Sequence, residues 1–264
     1  MLHIDSFIHP DANEKPLDTL IPTGGLAAIF RRIGCVGDSL SSGELETRDQ
    51  NGKTVYLDLY DHSWGQYIAR MTGAKVYNFS RSGMSAKEYI ETFADARNYW
   101  DPKLACDEYL IALGVNDLNG LKQEVGSTAD INLESPADSA KTFAGYLGQL
   151  VLRLRTIQPD AKFFYLTIPR KNPGAETVSL RDAHANLMYE FADFFQNSYV
   201  IDLRKYGPIY DEAFKQKFYG GEHLNTMGYY LTALMVASYM DYIIRHNPRD
   251  FRSVGLAGLP YTLL

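Results

Sequence analysis

The chain has 264 residues, 45% of them hydrophobic, and a formal net charge of -6. That length can form either one large α/β domain or two small ones while burying a substantial core, and the acidic balance argues against nucleic acid or an anionic membrane as the main partner. No stretch is long and apolar enough to span a bilayer, so the chain reads as soluble, with no membrane partner expected.

The first ten residues, Met1 to Pro10, lack a basic n-region and an unbroken apolar h-region, so no secretory signal is visible and a cytoplasmic location is expected. A chain whose signal had been removed would read the same way. Short β-rich runs then alternate with longer segments of helical period. Strands are expected near Ile33–Val36, Lys75–Phe79, Tyr109–Leu113, Lys162–Thr167 and Tyr199–Leu203, and helices over Ser63–Met71, Ala86–Tyr99, Pro136–Ile157 and Leu180–Phe195, with a last helix from Thr226. In the third helix Phe143, Leu147, Leu150, Leu154 and Ile157 share one face. This order predicts a mostly parallel five-stranded sheet covered by helices on both faces. No repeat or linker divides the chain, so residues 1–264 form one domain with a core of about 30–245. The Pro- and Gly-bearing terminal segments wrap that core or contact a second copy, which leaves room for a homo-oligomer. Cys35 and Cys106 lie in or beside apolar runs and read as buried free thiols, which favours a reducing compartment.

In an open parallel sheet, chemistry collects at the carboxyl ends of the strands. There the sequence places Asp38-Ser39 after the first strand, Ser80-Arg81-Ser82-Gly83 after the second and Gly114-Val115-Asn116-Asp117 after the third, while Gly220-Gly221-Glu222-His223-Leu224-Asn225 precedes the last helix. These four segments, in that order, resemble the SGNH or GDSL hydrolase superfamily. The resemblance rests on Gly37-Asp38-Ser39-Leu40, Asn78 followed by Gly83, Gly114 to Asp117, and His223 ahead of Asn225 and Gly228-Tyr229, and it spans roughly residues 30 to 245. It implies a flavodoxin-like three-layer fold and ester hydrolysis by a Ser-His mechanism.

Acyl transfer needs an activated hydroxyl, a base and donors aimed at the oxyanion. Ser39 is the expected nucleophile and His223 the expected base; the Ser39 N–H, the Gly83 N–H and the Asn116 side-chain amide are the expected oxyanion hole. No His or Cys spacing matches a zinc pattern and no glycine-rich phosphate loop is present, so neither metal nor cofactor is expected. His184, in a helical stretch two residues from Asp182, reads as a surface residue.

The chain departs from the family three residues before the histidine, where an Asp is usual and Gly220 stands. Without an acceptor for its Nδ1 proton, the imidazole has no fixed tautomer. A backbone carbonyl near Gly220-Gly221, the Glu222 carboxylate, or a distant carboxylate such as Asp202 or Asp211 would each serve. An insertion from Ser41 to Ser63, with Asn51-Gly52 between β-rich runs, reads as a hairpin that walls the pocket or meets another subunit. The loop from Leu118 to Ser135 rises at the same end. No apolar lid helix is evident, and the 19 tyrosines and 13 phenylalanines supply faces suited to sugars. The expected substrate is therefore a short-chain acyl ester, acetyl first, of a carbohydrate or similar polyol. An acyltransferase of the same fold and a binding protein on a hydrolase scaffold are the alternatives.

Overall fold

The computed structural model describes Ile8 and residues 11–171 and 175–263; Met1–Phe7 and His9-Pro10, on which the N-terminal signal reading falls, lie outside the described residues. In chain order the strands are β1 (Arg32–Gly37), β2 (Glu44–Arg48), β3 (Thr54–Asp58), β4 (Lys75–Asn78), β5 (Glu108–Ala112), β6 (Lys162–Leu166), β7 (Ser198–Ile201), and the short β8 (Tyr219–Gly220) and β9 (His223–Leu224). The longer helices are α1 (Trp64–Thr72), α2 (Phe143–Ile157), α3 (Ala175–Phe194), α4 (Glu212–Phe218) and α5 (Thr226–His246).

Five strands pair in parallel in the order β4-β1-β5-β6-β7, with β1 in the middle of the first three. Their period-2 alternation divides the core in two. Ile33, Cys35, Leu110, Phe164, Leu166 and Ile201 face α1 and α5, where Trp64, Ile68, Tyr229, Val236 and Met240 meet them. Val36, Tyr109, Ile111, Phe163, Tyr165 and Val200 face the opposite way, onto Phe143, Leu147 and Leu150 of α2 and Leu187, Met188 and Phe191 of α3. The result is the α/β/α sandwich expected from the sequence, and Cys35 and Cys106 are free and buried within it. Because both sheet faces are sealed by apolar side chains, the loops at the strand ends are where polar chemistry can gather.

The N-terminal segment wraps α5. The Ile21 N–H donates to Ser238 Oγ and the Leu26 N–H to Asp241 Oδ1, each at 2.8 Å, and Arg245 joins Glu14 at 2.7 Å. After α5, Phe251 inserts into the core against Phe30 and Phe164.

Three helices differ from expectation; the one expected over Leu180–Phe195 begins five residues earlier, at Ala175. The one expected from Pro136 begins at Phe143, because Thr142 caps it by accepting the Gly145 N–H, and Pro136–Asp138 forms a separate 3-10 turn. The one expected over Ala86–Tyr99 contains a π turn at Tyr89–Phe93 and ends by Ala96, where Asn98 adopts φ +55°. His184 is also corrected: it is fully buried, stacked on Phe143 with centroids 5.5 Å apart, its Nε2 lying 3.0 Å from the Leu113 carbonyl oxygen. On α3 it shares a face with Leu187, Met188 and Phe191, and that face is turned to the sheet.

Burial pushes the His184 imidazole down from 6.5 to about 4, so it packs as the neutral ring, donating from Nε2. Between those values the unfolded chain binds more protons than the folded one. The contribution of His184 is therefore complete above 6.5 and is lost as pH falls through about 4. His184→Gln, which keeps a donor for Leu113 but does not titrate, is expected to flatten the acid limb of stability by up to about 3 kcal/mol. Urea unfolding of both proteins near neutrality and near pH 4 measures this, and an equally steep acid limb in the variant would refute it.

Candidate active site

Ser39 follows β1 directly and opens a single helical turn, Ser39–Ser42. Asp38 caps that turn by accepting the Leu40 N–H at 3.0 Å. Burial outweighs this hydrogen bond and pushes the Asp38 carboxyl up to about 7. Gly83 sits in the turn after β4 at φ +72°, where a Cβ would meet nothing within 4 Å, so backbone conformation rather than crowding favours glycine. Neither the Ser39 nor the Gly83 N–H donates to a backbone acceptor among the described residues. Asn116 opens a π turn after β5, and the neighbouring Asp117 accepts the Ala86 N–H at 2.9 Å; burial pushes that carboxyl up to about 6. His223 lies on the β8–β9 hairpin opposite Gly220, just ahead of Asn225, which caps α5 through the Gly228 N–H.

One polar network brings these segments together. The Asn116 amide donates to the Met84 carbonyl at 3.1 Å and lies 3.5 Å from Asp38 Oδ2, joining the Gly83 turn to the Ser39 turn. Glu44, on β2, accepts from Ser82 Oγ at 2.9 Å and lies 2.9 Å from His223 Nε2. The Tyr229 hydroxyl donates to the Glu44 carbonyl at 2.7 Å and lies 3.2 Å from the Ser39 carbonyl oxygen. Thus Ser39, Gly83, Asn116 and His223 converge at one end of the sheet. Among the described residues no hydrogen bond joins Ser39 Oγ to His223, whose Nε2 is engaged by Glu44 instead.

None of the acceptors expected from the sequence meets His223 Nδ1, which has no hydrogen-bond partner within geometric limits among the described residues. Asp202 is buried elsewhere, accepting from Thr167 Oγ1 and the Tyr189 hydroxyl, and Asp211 caps α4. Glu222 is exposed, and only its backbone N–H takes part, donating to Glu46 Oε2 at 2.7 Å. That same Glu46 oxygen lies 3.5 Å from Nδ1. The hairpin expected after Ser39 is present as β2–β3, and it brings Glu44, Glu46 and Tyr56 to the histidine, the Tyr56 ring standing edge-on at 5.8 Å. Sequence reasoning placed the hairpin but did not single out these residues. The available signal was the alternation Glu44-Leu45-Glu46, which puts two carboxylates on one face of a strand.

Gly83 is exposed and Ser39, Asn116 and His223 are half-buried. An apolar cavity adjoins the Ser39 turn, with Asp38, Leu40 and Ser41 in its wall beside Trp64, Leu166 and Leu224. Among the described residues no group of three or more His, Cys, Asp or Glu is arranged to hold a metal ion, and no helix is long and apolar enough to cross a membrane.

Residues 35–231 match the GDSL-like Lipase/Acylhydrolase family. Among solved structures, the chain resembles a family two carbohydrate esterase from Clostridium thermocellum in complex with cellohexaose, at 14% identity and a TM-score of 0.58 over 88% of this chain and 66% of that one. It also resembles a carbohydrate acetylesterase from Sinorhizobium meliloti, at 15% identity and a TM-score of 0.53 over 81% of this chain and 99% of that one. A family 3 carbohydrate esterase from Clostridium thermocellum aligns at 17% identity and a TM-score of 0.52, over 81% of this chain and 97% of that one. At these identities the likeness is one of fold. Among curated proteins none matches the chain significantly.

Proposed function

The chain belongs to the GDSL-like lipase/acylhydrolase family, and on that premise we propose that it is a serine esterase removing short acyl groups, acetyl first, from a carbohydrate or similar polyol. The observation that carries the reading is the convergence of Ser39, Gly83, Asn116 and His223 through the network from Asn116 to Asp38 and Met84, and from Glu44 to Ser82 and His223. Ser39 Oγ attacks the ester carbonyl while His223 Nε2 takes its proton, and the imidazolium then returns that proton to the leaving alcohol. Water attacks the acyl-enzyme in the second half of the cycle by the same route. For the first step Nε2 must leave Glu44 for Ser39, and Glu44 keeps Ser82 as a partner when it does.

The backbone N–H groups of Ser39 and Gly83 have no backbone acceptors to surrender, which suits them to the developing oxyanion, with the Asn116 amide as third donor. The substrate class is supported by the solvent-facing side of the site: Ser39 and His223 are half-buried, so a hydroxylated alcohol can approach them from solvent. Tyr56, 58% exposed beside His223, offers that alcohol an aromatic face. The carbohydrate esterases of similar fold point the same way.

A panel of esters graded by acyl length, with acetylated oligosaccharides included, is expected to show highest kcat/KM for acetyl and loss of turnover in Ser39→Ala. Preference for long acyl chains, or unchanged hydrolysis in Ser39→Ala, would sink the reading. Asn116→Ala is expected to lower kcat about 10²- to 10³-fold with little change in KM, the cost typical of one oxyanion donor. Steady-state kinetics on the acetyl ester checks this, and unchanged kcat removes Asn116 from the oxyanion hole.

A further inference from the structure

Gly220 stands where the family usually carries the acid that orients the histidine, yet the space beside the ring holds a carboxylate. Residues i and i+2 of a strand face the same side, so β2 turns both Glu44 and Glu46 toward His223. The two are held differently. Glu44 is shared between Ser82 and Nε2, the nitrogen that the Ser-His mechanism needs free. Glu46 lies on the Nδ1 side and is anchored there by the Glu222 N–H at 2.7 Å. It also fills the space over Gly221, where a Cβ would stand 2.4 Å from the Glu46 carboxyl carbon and where φ is +79°. A Cβ at Gly220 would likewise come within 3.3 Å of the Glu46 carbonyl oxygen. The two glycines that stand in and beside the vacated acid position thus make room for a carboxylate arriving from another element. The Tyr56 ring, paired across the hairpin from Glu46, closes a further side of the imidazole.

We propose that Glu46 is the positioning residue of His223, a carboxylate supplied by the β2–β3 insertion in place of the acid absent at Gly220. The inference rests on the esterase reading above. Once Nε2 has left Glu44, Glu46 accepts the Nδ1–H and fixes the tautomer that leaves the Nε2 lone pair for the Ser39 proton; as the Ser39 Oγ–acyl bond forms, that proton moves to Nε2, with Glu46 beside the imidazolium. The 3.5 Å separation is that of the free enzyme, in which such contacts are commonly long and tighten on substrate binding.

The test is Glu46→Gln, whose amide oxygen can still receive the Glu222 N–H but whose NH₂ discourages a proton on Nδ1. The expected result is a fall in kcat of at least about 100-fold with KM within about threefold, approaching the roughly 10⁴-fold seen when a triad acid becomes an amide. Because Nε2 faces the Glu44 carboxylate in the free protein, the readout is taken in a Glu44→Ala background that frees Nε2: there the ¹⁵N resonance of His223 Nδ1 is expected to report a protonated nitrogen with Glu46 present and a bare one with Glu46→Gln. Gly221→Ala, which displaces the carboxylate without removing it, is expected to move the same resonance and covers the case in which Glu46→Gln does not fold. Glu222→Gln, altered only in an exposed side chain, is expected to stay within about tenfold of wild-type turnover. An Nδ1 resonance unchanged in both Glu46→Gln and Gly221→Ala overturns the proposal whether or not turnover falls, as does an equal loss in Glu222→Gln. A switched resonance in a protein that hydrolyses no ester supports the role of Glu46 and removes the esterase reading instead.

Discussion

The buried hydroxyl of Tyr229 holds together the parts that would otherwise be independent. It sits in the first turn of α5, six residues after His223, and reaches the carbonyl oxygens of Glu44 and Ser39. Tyr229 is fully buried, so without this donor the Glu44 carbonyl would lose its partner where water does not readily replace it, at a cost of about 1–3 kcal/mol. The bond also fixes geometry. It locks the helix that follows the histidine to the turn that begins with the serine, 190 residues apart in the chain. The neighbouring Gly228 lies so close to the Phe218 carbonyl, 2.3 Å from where a Cβ would be, that α5 seats directly on the end of α4.

With that lock in place, the sheet dictates the rest. Its alternating strands commit both faces to apolar contacts, so hydrogen-bonding groups collect at the strand ends, and the turns after β1, β4 and β5 supply Ser39, Gly83 and Asn116. These turns are linked side by side: Asn116 donates to Met84, Asp117 receives Ala86, and Ser82 donates to Glu44. Each link ties one strand end to the next. The spacing of the site is therefore a consequence of strand order as much as of any one loop.

This is why so much was legible from the sequence and why some of it was not. Apolar runs such as Ile33–Val36 and Tyr109–Leu113, each followed by small or polar residues, report strand and strand end together, and the polar residues at those ends give Ser39, Gly83 and Asn116. For His184 the pairing with Asp182 two residues away carries no information about burial, whereas Leu187, Met188 and Phe191, three, four and seven residues on, mark the face it shares. The helix expected from Pro136 was misread because a proline suited to a first turn marks a short 3-10 turn equally well, and Thr142 starts the longer helix. Glu44 and Glu46 escaped for a different reason. Glu46 and Glu222 are 176 positions apart and meet only because a hairpin folds back over the sheet end, and no local pattern encodes that direction.

The hairpin therefore changes how the absence at Gly220 is understood. In the usual arrangement the acid and the histidine share one loop, so the pair is preassembled and the nucleophile comes to it. Here the carboxylates follow Ser39 by five and seven residues, on the strand that leaves its turn, and the histidine loop supplies the glycines that let them in. On the proposed role of Glu46, the orientation of His223 depends on the seating of β2–β3, whose other strand carries the exposed Tyr56 into the same opening. A bulky alcohol resting on Tyr56 would press on the element that holds Glu46 against His223. On that proposal, substrate contact at Tyr56 and alignment of His223 share one mechanical support, which a local Asp-His pair would not provide.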